Sequence, residues 1–270
     1  MKTRYIFLIL SIFLLSGCQI LQQNEVINSV SPGKDLSATS TPTSTAELVK
    51  PNPETPAPKI EPEKPEVKPI ESEIPNFLDY PVAFISQAPY AIWDDLHKEA
   101  CEEAAMITVA KYFNNEPLTA HTMEQGIINL AEWEEANNYQ IDLTAAEAAE
   151  ILKNYFNLKA ELITEVTPDR IKALLLAKKL IIIPAAGRQL DNPYFQTPGP
   201  IYHMLVIRGY DDRTGEFITN DVGTKRGEGF RYQYQNLIAA IHDWDPVLAA
   251  SGMTDEEIEQ GRKVMIAVSK

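Results

Sequence analysis

Beyond residue 75 the apolar positions change period along the chain, first helical and later alternating. A strand is predicted over 80–85 and a loop over 89–97. Ala104, Ala105, Ile107, Thr108, Val109, Tyr112 and Phe113 then recur at helical spacing around a wide apolar face, which predicts a central, buried helix over 100–113. Two more helices follow over 119–135 and 143–156, the second opened by Thr144 and Glu147 in capping-box spacing. A strand is expected over 159–164, and Thr167 with Pro168 starts a helix that runs to 178 or 179. The continuous apolar run 180–184 reads as a strand covered on both faces. Turn residues fill 191–200, and the strand 201–210 turns back through 211–216 onto 217–219 as a hairpin. A short strand over 230–234, helices over 236–242 and from Thr254, and a strand over 264–268 complete the chain. Helices first and mostly antiparallel strands afterwards make an α+β order.

The two ends of the hydropathy pattern differ in kind. The first 18 residues, MKTRYIFLILSIFLLSGC, combine Lys2 and Arg4, an apolar run too short to span a bilayer, and small residues before Cys18. That order looks like a bacterial lipoprotein signal, so residues 1–18 are expected to end in a lipidated Cys18 that anchors the protein on the extracytoplasmic face of a bacterial membrane. Residues 19–75 turn to Ser, Thr, Pro, Glu and Lys, which bury too little apolar surface to offset their ordering entropy. They are expected to form a disordered tether ahead of one domain over 76–270.

Charge narrows the partners. A formal net charge of -14, with no basic stripe, argues against nucleic-acid binding and is compatible with neutral or basic substrates. No CxxC or HExxH spacing is present, so no metal or cofactor is expected, and a monomer is the working assumption.

With Cys18 lipidated, Cys101 is the single remaining thiol of an exported chain, which rules out a disulfide framework and marks a candidate nucleophile. It opens the 100–113 helix, where unpaired N–H groups and the helix dipole favour a thiolate. Of His97, His121, His203 and His242, His203 fits a base best, because its strand follows a loop and can hold the imidazole at a cleft. The hairpin returns Asp221 beside it to accept the Nδ1–H, with Asn220 as the alternate; side-chain alternation lets only one of them face His203. Gln87, upstream of the thiol, is a candidate oxyanion donor together with the Cys101 N–H. Glu102 and Glu103 read as solvated acids of a first helical turn.

Phe84-Ile85-Ser86-Gln87, Trp93-Asp94-Asp95, Ala100-Cys101-Glu102-Glu103-Ala104, Tyr202-His203-Met204-Leu205-Val206-Ile207 with Gly209-Tyr210-Asp211, and Ile218-Thr219-Asn220-Asp221 with Gly223 form ordered blocks. Together they resemble the bacteriocin-processing-peptidase-like branch of papain-like cysteine peptidases, peptidase family thirty-nine, over roughly 80–244. The resemblance implies a papain-like fold with the nucleophile helix packed on an antiparallel sheet. It also implies Cys101 as nucleophile, His203 as base, Asp221 as orienting residue and Gln87 in the oxyanion hole. The chain departs from many relatives in having Glu102 and Glu103 where they carry Gly-Pro, and it shows no nucleotide-binding loop, so export-coupled cleavage of double-glycine leaders is not implied. The expected activity is hydrolysis of peptide or protein amide bonds, cell-wall peptides included. The rivals are a non-catalytic binding or scaffold lipoprotein and a cell-wall amidase or acyl transferase.

Overall fold

The computed structural model describes residues 74–247 and 253–270; the expected signal with Cys18, and the tether up to residue 73, lie outside the described residues. A seven-stranded, wholly antiparallel sheet runs β2-β7-β3-β4-β5-β6, and β1 joins the second half of β4. The strands are β1 (Phe77–Asp79), β2 (Lys159–Ile163), β3 (Leu180–Ala186), β4 (Tyr202–Asp211), β5 (Glu216–Asn220), β6 (Phe230–Gln233) and β7 (Met265–Ser269). The helices are α1 (Asp95–Lys98), α2 (Cys101–Asn114), α3 (Ala120–Ala136), α4 (Ala145–Asn154), α5 (Pro168–Leu176), α6 (Tyr234–Ala240) and α7 (Asp255–Ile258).

Every residue of β3 is buried because both faces of the sheet are covered. Leu180 and Ile182 point into a core shared with α2, α3 and α4, through Ala105, Val109, Ile127 and Ile151. Ile181 and Ile183 point the other way, against Ile171 and Leu175 of α5 and Leu237 of α6. This two-sided cover explains the unbroken apolar run, since alternation survives only where one face meets water. α2 is enclosed to the same degree: residues 101–110 are all buried. It ends where Asn115 adopts a left-handed conformation and donates its N–H to the last turn.

The α+β class, the helix over the thiol and the β4–β5 hairpin match the sequence reading, as do the capping box of Thr144 with Glu147 and the Thr167 cap before Pro168. Three elements differ. The strand expected over 80–85 is not formed; β1 lies just before it. Pro81 offers no N–H to a ladder, and the carbonyls of Val82 and Ala83 are taken by side chains of Asn220 and Arg208. Within the expected loop 89–97, Asp94 caps a single helical turn by accepting the His97 N–H at 3.0 Å. α5 stops at Leu176, short of 178, because Lys178 turns left-handed at φ 61°. Gly209 lets β1 lie close against β4: a Cβ there would collide with the Leu78 carbonyl. Among the described residues no helix is long and apolar enough to cross a membrane.

Candidate active site

The chemistry-bearing residues meet where the start of α2 faces the first residues of β4. Cys101 is the first residue of α2, preceded by Ala100, which caps with no side chain. Its N–H therefore has no acceptor within the helix. The Met204 N–H donates to Cys101 Sγ at 3.4 Å, which brings the thiol against the strand that carries His203 one residue earlier. Both residues line one cleft of about 890 Å³, together with Gln87, Trp93, Phe195 and Gly223.

His203 is held by the hairpin, as its neighbours in sequence suggest, but through the opposite nitrogen. Nε2, not the expected Nδ1, meets Asp221 Oδ1 at 2.8 Å. Nδ1 is left without a partner among the described residues. Asp221 directly follows β5, whose last residue Asn220 pairs with Val206, so its carboxylate stands beside the start of β4 and takes the ring nitrogen more distant from the main chain. Phe195 packs edge-on against the imidazole at 5.4 Å between centroids. Gly223 lies against the same ring beside Phe195; a Cβ there would stand 2.8 Å from His203 Cε1 and 3.1 Å from Phe195 Cε1.

Asp221 is wholly buried and accepts from four donors. His203 and the Gly223 N–H meet Oδ1, at 2.8 and 3.1 Å, and Asn192 Nδ2 and the Tyr232 hydroxyl meet Oδ2, at 2.9 and 2.6 Å. Burial alone would raise this carboxyl, yet the His203 charge and the hydrogen bonds from His203, Tyr232 and Asn192 hold it below its ordinary value. Asn220 faces away from His203, as alternation requires, and ties the Val82 and Ala83 carbonyls at 3.1 Å each.

Gln87 is buried, 3% exposed, with its main-chain N–H on the Val222 carbonyl at 2.9 Å. Its amide nitrogen donates to the carbonyls of His97 and Lys98 at 3.0 and 3.1 Å, while Oε1 has no partner. It thus secures the segment leading into Cys101, and its two amide protons already have acceptors.

The largest departure concerns Glu102 and Glu103, which are not solvated: they are 1% and 5% exposed. α3 and the start of α4 close over that face of α2, so the first turn is interior. The Cys101 thiol donates to Glu102 Oε2 at 2.9 Å, and the Leu143 N–H donates to Glu102 Oε1 at 3.3 Å. Glu103 accepts from the buried Glu134 of α3. Burial, then the neighbouring Glu103 charge, pushes Glu102 well above the usual carboxylate range. Burial likewise brings Glu103 to about 7, and with the Glu103 charge takes Glu134 to about 10. Asp142, on the cleft rim, is raised to about 6 by burial and by Glu99. Burial first and Glu102 second push the Cys101 thiol up as well, while the Met204 N–H pulls it down.

Several contributors escaped the sequence reading. Asn192 sits in the turn-rich loop as an ordinary turn residue, and only the fold brings it to Asp221. Tyr232 could have been found, because alternation in a strand paired with β5 sets it opposite Phe217 on the inward face. Trp93 and Trp244 also line the cleft. His97 is sandwiched between Asp94 at 2.7 Å and Glu124 at 3.1 Å, a structural role. Among the described residues no group of three or more His, Cys, Asp or Glu could hold a metal ion.

A helix bearing a thiol at its first turn, packed on an antiparallel sheet that carries a histidine, is the α+β arrangement of papain-like cysteine peptidases. The chain belongs to the Peptidase_C39 like family, whose model matches residues 80–247. A crystal structure described as that of a C39-like peptidase from Bacillus anthracis is similar at 14% identity and a TM-score of 0.43, covering 70% of this chain and 95% of that one. A comparison with curated proteins finds no match. The protein is therefore a cysteine peptidase-like hydrolase, and peptides or proteins are its substrate class.

Proposed function

We propose that the protein is a lipid-anchored extracytoplasmic peptidase in which Cys101 attacks the amide carbonyl. His203 takes the thiol proton on Nδ1, Asp221 orients the imidazole through Nε2, and the Cys101 N–H with the Gln87 amide receives the oxyanion. The observation that carries this reading is the Asp221–His203 contact of 2.8 Å in the same cleft as the only free thiol of the described residues. Because burial pushes the thiol up, Cys101 rests as a neutral thiol rather than as a standing thiolate. The proton moves to His203 as sulfur bonds to the carbonyl carbon, the imidazolium then protonates the leaving amine, and water, deprotonated by the same base, hydrolyses the thioester. Gln87 must release one of its two main-chain acceptors to serve the oxyanion. The anchor would be Cys18, with the Pro-rich segment as spacer.

One observation favours a non-catalytic binding domain instead: Cys101 is only 6% exposed. Iodoacetamide labelling of the purified full-length chain at pH 7 separates the two. The peptidase reading expects labelling at Cys101 that slows at least tenfold in His203→Ala, since a base that takes the thiol proton sets the thiolate fraction. Slow labelling indifferent to His203 would sink it. Mass spectrometry of products from a peptide library and from peptidoglycan fragments then distinguishes protein hydrolysis, wall hydrolysis and acyl transfer.

A further inference from the structure

Cys101 Sγ has two polar neighbours besides the cleft: the Met204 N–H at 3.4 Å and Glu102 Oε2 at 2.9 Å. The second contact sets a condition on chemistry. A thiolate and a carboxylate are both acceptors only, so once the thiol proton has gone to His203 nothing holds Sγ and Oε2 at that separation unless a proton remains between them. The remaining proton can belong only to Glu102.

We propose that Glu102 works as a neutral carboxylic acid whose Oε2–H donates to the Cys101 sulfur during the reaction, so that the nascent thiolate is held by two donors, Glu102 and the Met204 N–H. The proposal rests on Cys101 being the nucleophile.

The surroundings fit an acid form. Glu102 Oε1 accepts the Leu143 N–H at 3.3 Å, as a carbonyl oxygen of a neutral acid does, which leaves Oε2 for the sulfur. Leu143 is itself fixed at its other end, its carbonyl accepting the Tyr202 hydroxyl at 2.8 Å, so β4 positions both the thiol and the acid beside it. Among the described residues no cation is paired with Glu102. The charged or titratable groups near it are acids or a phenol: Glu103 on α2, Glu134 on α3, Asp142 before α4, Asp243 bonded to the Ala145 N–H, and Tyr202 on β4. An ionised Glu102 would therefore stand 1% exposed among like charges, unpaired. The step balances: the thiol proton passes to His203 Nδ1, Glu102 keeps its own proton throughout, and when the amine leaves the imidazolium proton goes with it.

The test follows iodoacetamide labelling of Cys101 from pH 5 to 9 in the full-length wild type, Glu102→Gln, Glu102→Leu and His203→Ala, with far-UV circular dichroism as the check of folding. Glutamine keeps an N–H donor for sulfur and an oxygen for Leu143, so Glu102→Gln should label within about threefold of wild type. Glu102→Leu loses the donor and should label about 10- to 100-fold more slowly at pH 7, with its labelling curve moved to higher pH. If Glu102 is instead an anion that suppresses the thiolate, Glu102→Gln labels at least tenfold faster than wild type, and the proposal is overturned even where the leucine variant fails to fold. Equal labelling of wild type and a folded Glu102→Leu overturns it too, leaving the nucleophile reading intact. Wild type labelling no faster than His203→Ala removes the nucleophile reading and this proposal with it.

Discussion

Asp221, buried behind His203, accepts four hydrogen bonds, and its replacement should be felt in both stability and rate. Asp221→Ala leaves the Tyr232 hydroxyl, Asn192 and His203 facing an empty buried space. Breaking such a buried pair costs about 3–5 kcal/mol, so thermal denaturation should show a Tm lower by at least about 6 °C. Asn220→Ala is the control, since its amide serves the Val82 and Ala83 carbonyls and not the imidazole. It should cost about 1–3 kcal/mol of stability while leaving peptide-hydrolysis kcat near wild type, measured well below its Tm. A large kcat loss in folded Asn220→Ala would return it as the orienting residue. Gly223→Ala acts through shape, because its Cβ would stand 2.8 Å from His203 Cε1 and 3.1 Å from Nε2. Its kcat should fall at least tenfold with little change in Tm, as expected when a base is displaced rather than removed.

At the scale of elements, the legible parts were those whose local chemistry and tertiary setting agree. Thr144 with Glu147 and Thr167 with Pro168 cap helices wherever they occur, and the run 180–184 needed only cover on two faces to be a strand. The pairing of His203 with Asp221 was legible because a hairpin brings its two strands together with known alternation. The strand at 80–85 failed since its apolar pattern belongs to an extended segment whose carbonyls are met by side chains. Glu102 and Glu103 failed for a stronger reason: first-turn acids are ordinarily solvated, and only the closing of α3 and α4 over α2 makes them interior. No spacing in one sequence reports that cover. The same cover gives a packing prediction. Ile182→Ala would empty space between the sheet and α2, and denaturant unfolding should report a loss of about 2–5 kcal/mol.

The molecule as a whole carries its acidity partly indoors, and this sets its response to pH. Glu103, at about 7, and Glu134, at about 10, bind protons more tightly folded than unfolded. Their stabilisation is complete below the unfolded carboxyl range, near 4.3, and is lost as pH rises through those folded values, because the folded state then holds the extra protons. Tm should therefore decline between pH 5 and 9. Glu134→Gln removes one titrating partner while keeping a donor for Glu103, and its decline over that window should be shallower; an equal slope in both proteins would contradict the buried, proton-sharing pair.

The central claim is that one buried thiol, served by His203 and Asp221, opens amide bonds. It is tested most directly by kcat/KM for a peptide that the full-length chain cleaves, compared between wild type and Cys101→Ala. The expected result is a loss of at least about 10³-fold, the scale at which a missing nucleophile leaves only binding and oxyanion stabilisation. Cleavage of the same bond at an undiminished rate by Cys101→Ala would contradict it.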